Sequence, residues 1–150
     1  MNGAVYEPMR LIITGVKDGK SCIIEEVDCT PQGTDLSTLL VARLPVANLP
    51  PRPPGKGEFV EIPVAPGEMI WFRVRFPANE VRRVHHTDTV DCHTVVSGWI
   101  ELLLDDGAHR LNPGDSAMVT GVDHGWRIGP DGCVVSMLNF GTPKPAAPTA

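Results

Sequence analysis

Two short blocks of this sequence concentrate groups that can hold a metal ion or move a proton. The first reads His85-His86-Thr87-Asp88-Thr89-Val90-Asp91-Cys92-His93 and closes at Gly98. The second runs from Pro113-Gly114-Asp115 to Gly121-Val122-Asp123-His124. Together they carry four of the five histidines, and the fifth, His109, falls between them in an expected turn. Histidine and carboxylate at strand spacing, punctuated by glycines, is a pattern from which a β-barrel builds a metal site.

Strand alternation sets which of these groups can meet. If His86 points into a barrel, Val84 does too, and His85 points out. Asp91, His93 and Val95 then share one inward face, and Cys92 between them faces outward. His124 begins a strand whose Trp126 lies on the same face, a candidate for the pocket wall. His86, Asp91, His93 and His124 could therefore converge in one apolar cavity. Burying them without partners is costly, which is itself a reason to expect a metal or a hydrogen-bonded cluster there.

The elements that must position them are short strands. Fifteen glycines and fifteen prolines leave little room for a long helix. The apolar segments are Leu11–Thr14, Cys22–Val27, Met69–Phe76, Thr94–Val96, Ile100–Leu104, Ala117–Thr120 and Cys133–Phe140, rich in β-branched residues. Turn signals separate them at Asp18-Gly19, Asp105-Asp106-Gly107, Asn112-Pro113-Gly114-Asp115 and Gly129-Pro130-Asp131-Gly132. This spacing predicts an all-β sandwich or barrel. Residues 1–68 read as an N-terminal hairpin and a Pro-rich arm packed on the barrel, 69–141 as the barrel, and 142–150 as a flexible tail. Ser37–Arg43 reads equally as a short helix or a strand. Trp71 and Phe76 are expected in the core.

Composition narrows the partners. At 150 residues, 42% hydrophobic and 21% charged, the chain suits one globular domain. A net charge of −5 with a single Arg82-Arg83 doublet argues against nucleic acid. No apolar run approaches the roughly 20 residues that span a bilayer, and the first eight residues, lacking a basic start and an apolar stretch, are not expected to act as a secretory signal. Four cysteines without a CxxC pair then suggest reduced thiols in a cytoplasmic protein. Three further motifs carry no chemistry. Ser97 lacks a nucleophile elbow, Gly55-Lys56-Gly57 lacks phosphate-loop spacing, and Asp105-Asp106 and Glu25-Glu26 read as solvated charges.

The two blocks resemble the halves of the cupin signature. The first half is G-x5-H-x-H, three or four residues, E, six residues, G; the second is G-x5-P-x-G-x2-H-x3-N. His86 falls on the second histidine, four residues separate it from Asp91 at the carboxylate position, and six more lead to Gly98. Gly114, Gly121 and His124 match the second half with one residue of slack. Thr87–Asp91, Val96-Ser97-Gly98 and His124-Gly125-Trp126 further resemble small cupin-domain oxidoreductases of actinobacterial genomes and fungal polyketide clusters. The resemblance covers about residues 69–141, and the hairpin at Arg10–Gly19 more weakly. It implies a double-stranded β-helix, or jelly roll, extended by the N-terminal β-hairpin. Val84 stands at the first histidine position, Asp91 replaces glutamate, and Ile128 replaces the final asparagine.

The resemblance implies a divalent metal on His86, Asp91 and His124, the composition of a non-haem iron facial triad. His93 would be a fourth ligand or a catalytic acid/base, with Val84 and Trp126 in the pocket. Iron is expected first, with zinc, nickel or manganese as alternatives. The implied function is a metal-dependent enzyme acting on a small oxygenated molecule (aromatic, polyketide-derived or carboxylate), foremost an oxidoreductase of dioxygenase type. A lyase or isomerase using the metal as Lewis acid is the alternative, and a non-catalytic small-molecule-binding barrel is another. For His86 and His124 the plainer alternative is structural histidines retained after metal loss; for Asp91 and His93 it is hydrogen-bonded wall residues. The extension and arm suit a homodimer whose subunits exchange strands.

Overall fold

The computed structural model describes residues 8–30 and 49–144. The Ser37–Arg43 segment and the end of the tail lie outside these residues. Among the described residues nine strands follow one another: β1 (Arg10–Lys17), β2 (Lys20–Asp28), β3 (Glu58–Phe59), β4 (Met69–Phe76), β5 (Val81–His86), β6 (Thr89–Leu104), β7 (Gly107–Leu111), β8 (Ser116–Val119) and β9 (His124–Gly141). The expected all-β architecture is what forms. No helix among the described residues is long and apolar enough to cross a membrane.

Two long strands organise the rest. β6 and β9 pair antiparallel from Thr89–Gly141 to Leu103–Gly125, with bulges at Val95/Ser97 and Gly98/Ile100. Before the bulges β6 pairs with β8, and β8 pairs parallel with β1 of the N-terminal hairpin. The matching half of β9 pairs with β4, giving one layer in the order β2-β1-β8-β6-β9-β4. Beyond the bulges the same ribbon pairs with β7 on one side and with β5, then β3, on the other. The ribbon therefore bends from one layer into the second. Between the layers pack Ile12, Phe76, Val95, Ile100, Leu102, Leu111, Val119, Trp126, Ile128 and Val135. Fully burying an aliphatic side chain of this size contributes roughly 1.5–3 kcal/mol.

The sequence signals at Gly98 and Gly129–Gly132 mark these bends, and Gly129–Gly132 is not the turn expected from it. Both strands run on through their glycines. Gly98 has a φ of 70°, and a Cβ there would stand 2.0 Å from the Gly132 carbonyl oxygen. The two backbones meet too closely for a side chain, so the ladder folds over as a unit.

Two other expectations change. Trp71 is 68% exposed on the outer face of β4, where its indole N–H donates to Ser136 Oγ at 2.9 Å. Alternation on β4 puts Ile70, Phe72, Val74 and Phe76 inward, and Trp71 falls on the opposite phase. The Asp105-Asp106 doublet is not free solvated charge: it accepts hydrogen bonds from Ser21 N and Ile23 N, each at 2.9 Å, and so ties the hairpin to the β6–β7 turn.

Replacing Gly98 with alanine should destabilise the fold by about 2–4 kcal/mol, since both the left-handed φ and the facing carbonyl oppose a Cβ. Urea unfolding should show a lower midpoint at unchanged m-value. An unshifted midpoint would mean that the bend does not depend on this close approach.

Candidate functional site

Between the layers lies a cavity of about 460 Å³. Its walls are Val60, Ile62, Phe72, Val74, Phe76, Trp126 and Met137, and its polar groups include His85, Asp91, His93, His124 and Asn139. Burial grades along it. Arg82, Arg83 and Glu58 are exposed, His85 is half-buried, and Asp91, His93, His124 and Asn139 are between 2% and 4% exposed. A mostly apolar cavity with a few convergent polar groups at its buried end is the usual form of a small-molecule site.

β6 supplies Asp91 and His93 by simple alternation, and the start of β9 supplies His124 and Trp126 in the same way. These expected placements hold: the His93 and Trp126 rings are 5.1 Å apart, and His124 meets Trp126 edge-on at 5.6 Å.

β5 reverses the expectation that His86 points in and His85 out. Arg82 pairs with Trp126 and His85 with His124, so three steps along β5 match two along β9. The extra residue is a bulge, and it inverts the alternation beyond it. Gly125 on β9 faces the bulge, where a Cβ would come within 2.8 Å of the Arg82 carbonyl oxygen. His85 therefore enters the cavity and stacks on His124, with ring centroids 4.4 Å apart. Val84 is 49% exposed and absent from the cavity wall. His86 turns to the other side, its Nδ1 3.6 Å from Asp123 Oδ1 and its ring against Phe59. Asp123 in turn accepts the Lys56 and Gly57 N–H groups at 2.8 and 2.9 Å, pinning the Pro-rich arm just before β3. The expected His86, Asp91 and His124 set is thus not brought together.

Desolvation governs the electrostatics. Burial pushes the Asp91 carboxyl up to about 7, opposed by a hydrogen bond with Thr89. It lowers His93 to about 3, with repulsion from His124 adding to the effect. His124 is lowered to about 4 by burial, then by His85. Both buried imidazoles are neutral at physiological pH, the state in which a ring nitrogen can offer its lone pair. His124 Nδ1 lies 2.8 Å from the Val122 carbonyl, and His85 Nδ1 lies 2.9 Å from that of Arg83. With each Nδ1–H donated to the backbone, Nε2 is the acceptor nitrogen.

Among the described residues several buried atoms have no hydrogen-bond partner: both ring nitrogens of His93, Asp91 Oδ1 and Asn139 Oδ1 at the cavity's buried end, and His86 Nδ1 and Glu80 Oε2 outside it. His93 Nε2 is 3.9 Å from Asp91 Oδ2, too far to satisfy either. In donor chemistry, neutral imidazoles beside a carboxyl suit a divalent ion. In placement they form an open set: among the described residues no group of three or more His, Cys, Asp or Glu side chains is positioned to hold a metal ion.

Sequence reasoning missed His85 and Asn139. The bulge that aims His85 leaves no mark in residue types. Asn139 had a signal, as the polar member of the inward series Val135, Met137, Asn139 on an otherwise apolar strand.

No family model matches the sequence, and no curated protein is significantly similar to it. Among solved structures, KdgF from Halomonas sp. is 23% identical with a TM-score of 0.42, over 48% of this chain and 69% of that one. A sugar phosphate isomerase from a cupin superfamily, from Silicibacter pomeroyi, is 20% identical at 0.43, over 50% and 52%. The Cupin_2 domain of an XRE family transcriptional regulator from Enterobacter cloacae is 16% identical at 0.43, over 51% and 83%. The chain thus spans about half the length of the isomerase, and 44% of an HTH_3 family transcriptional regulator from Vibrio cholerae.

Proposed function

We propose that this chain is a metal-dependent enzyme acting on a small oxygenated organic molecule held in the cavity. The observation that carries the reading is the buried end of that cavity. Unpartnered nitrogens of His93 and an unpartnered oxygen of Asp91 lie there beside His124 and His85. Leaving such groups unpaired costs about 1–3 kcal/mol each, a cost that a bound ion and substrate would offset.

His85, His93 and His124 would hold the ion, in place of the set built on His86. A divalent ion there would supply Lewis acidity and, if it is iron, oxygen chemistry. The oxidoreductase reading stands first because Thr87–Asp91, Val96–Gly98 and His124–Trp126 resemble segments of cupin-domain oxidoreductases. A lyase or isomerase is the Lewis-acid counterpart. Asp91, which lines the cavity beside these imidazoles with its Oδ2 3.9 Å from His93 Nε2, would carry the proton. His93, neutral down to low pH, is the poorer acid and the better lone-pair donor. Trp126 and Phe72 would hold the substrate and exclude water. The proposal includes a homodimer, supported by β2, whose outer edge pairs with no other strand among the described residues. A single monomeric species in sedimentation would refute that part.

A second reading, a non-catalytic small-molecule-binding barrel, is favoured by one observation, the open donor set.

Metal analysis tests the assignment. The purified protein should carry about one divalent ion per chain. His93→Ala and His124→Ala should each weaken binding by at least about 100-fold, while His86→Ala leaves it unchanged. Loss of metal in His86→Ala would restore the alignment-based set. No metal in the wild type, even after incubation with iron, nickel, manganese or zinc, would leave the binding reading.

The carboxyl makes a separate expectation for metal-free protein. Its folded pKa is raised above the unfolded value of 3.8, so its contribution to stability is complete below about 4 and is lost as pH rises through about 7. Asp91→Asn removes that slope. Melting curves should show the variant gaining on the wild type from pH 4 to pH 8, by at most about 4 kcal/mol. A difference independent of pH would show that the carboxyl is not desolvated as the structure has it.

A further inference from the structure

We propose that the substrate presents hydroxyl groups, on a flat apolar body, to the paired side chains of Asp91 and Asn139. This rests on the reading of the cavity as the working site, and not on its metal.

Asp91 and Asn139 are direct register partners in the antiparallel β6–β9 ladder. Both line the cavity, both are buried, and each holds an Oδ1 that no group among the described residues satisfies. Directly opposed residues carry Cβ atoms about 4.5–5.5 Å apart, so substituents of one small ring can reach both. An unpartnered buried acceptor calls for a donor. A hydroxyl supplies one, and it can accept as well, which suits His93, whose two ring nitrogens are also unpartnered. It also meets either end of the Asn139 amide.

A carboxylate fits this end poorly. It has no proton to donate to Asn139 Oδ1 or to a lone pair of His93, and among the described residues no lysine or arginine lines the buried end. The cavity's two arginines, Arg82 and Arg83, are exposed, and Arg82 is already paired with Glu80 at 2.7 Å. The walls choose the body. Phe72, Phe76, Trp126 and Met137 bound a space of about 460 Å³, enough for a one- or two-ring aromatic. The chemistry of the site therefore favours a phenol, diol or enol over an acid.

Titration calorimetry tests this with three probes sharing one body: a naphthalenediol with hydroxyls on alternate carbons of one ring, its dimethyl ether, and naphthoate. The full-length protein is used as isolated and after treatment with a chelator. In both forms the diol should bind at least about tenfold more tightly than the ether or the acid, the worth of two net hydrogen bonds. Asn139→Leu, of similar volume, should cut that preference severalfold while leaving ether binding and the melting temperature close to wild type. Equal binding of diol and ether, tighter binding of naphthoate, an undiminished preference in Asn139→Leu, or no binding of any probe would each overturn the inference. A diol preference in a protein that takes up no metal removes only the metal reading. Metal without the preference removes only this one.

Discussion

The antiparallel pairing of β6 with β9 runs through both layers of the molecule, and its two bulges decide where the inner face looks. Before the bend the ladder sets Asp91 opposite Asn139 and His93 opposite Met137, all against the cavity. Beyond it, Leu102 pairs with Trp126, and the same strand of β9 opens on His124. A straight ribbon would keep these groups on one plane. The bend at Gly98 and Gly132 turns the ribbon over itself, so that residues far apart along β9 face a common volume. Cavity, core and site depend on two backbones being able to meet where a Cβ would not fit.

β5 adds the second constraint, and it acts through a single residue. Without the bulge opposite Gly125, alternation would send His86 and Val84 to the cavity and His85 to the outside, as the signature alignment implies. With it, His85 stacks on His124, and His86 is left to approach the Asp123 carboxylate that pins the arm. One inserted residue thus trades a histidine between the cavity and an anchoring contact. That trade changes which ligand set the chain can offer.

How far the sequence reveals this follows from what each signal measures. Short β-branched runs and turn residues mark strands and their ends well: Met69–Phe76 coincides with β4, and the hairpin turn at Asp18-Gly19 is where it should be. Alternation on β6 correctly places Asp91, His93 and Cys92, because no bulge intervenes before Val95. Glycine and proline signal departure from a straight strand, yet not whether the ladder continues, so Gly129-Pro130-Asp131-Gly132 reads as a turn although β9 passes through it. Parity across a bulge depends on backbone register against a distant strand, which no local pattern in Val81–His86 encodes. Trp71 misleads for a related reason: a large aromatic reads as core, but its phase on β4 puts it outside.

The buried end of the cavity is tolerable to the fold because none of its groups need carry charge. Below about pH 7 Asp91 keeps its proton, while His93 and His124 stay neutral down to about 3 and 4. Around pH 5 unfolding would let both imidazoles take up a proton and Asp91 release one. The net uptake is one proton, about half the acid sensitivity that two buried histidines alone would impose. The carboxyl's raised pKa thus partly cancels the histidines' depressed ones, and the cluster stays neutral across the range where each alone would be most costly to bury. A cation reaching this end would reverse the balance, drawing the proton from Asp91 while the imidazoles need release none.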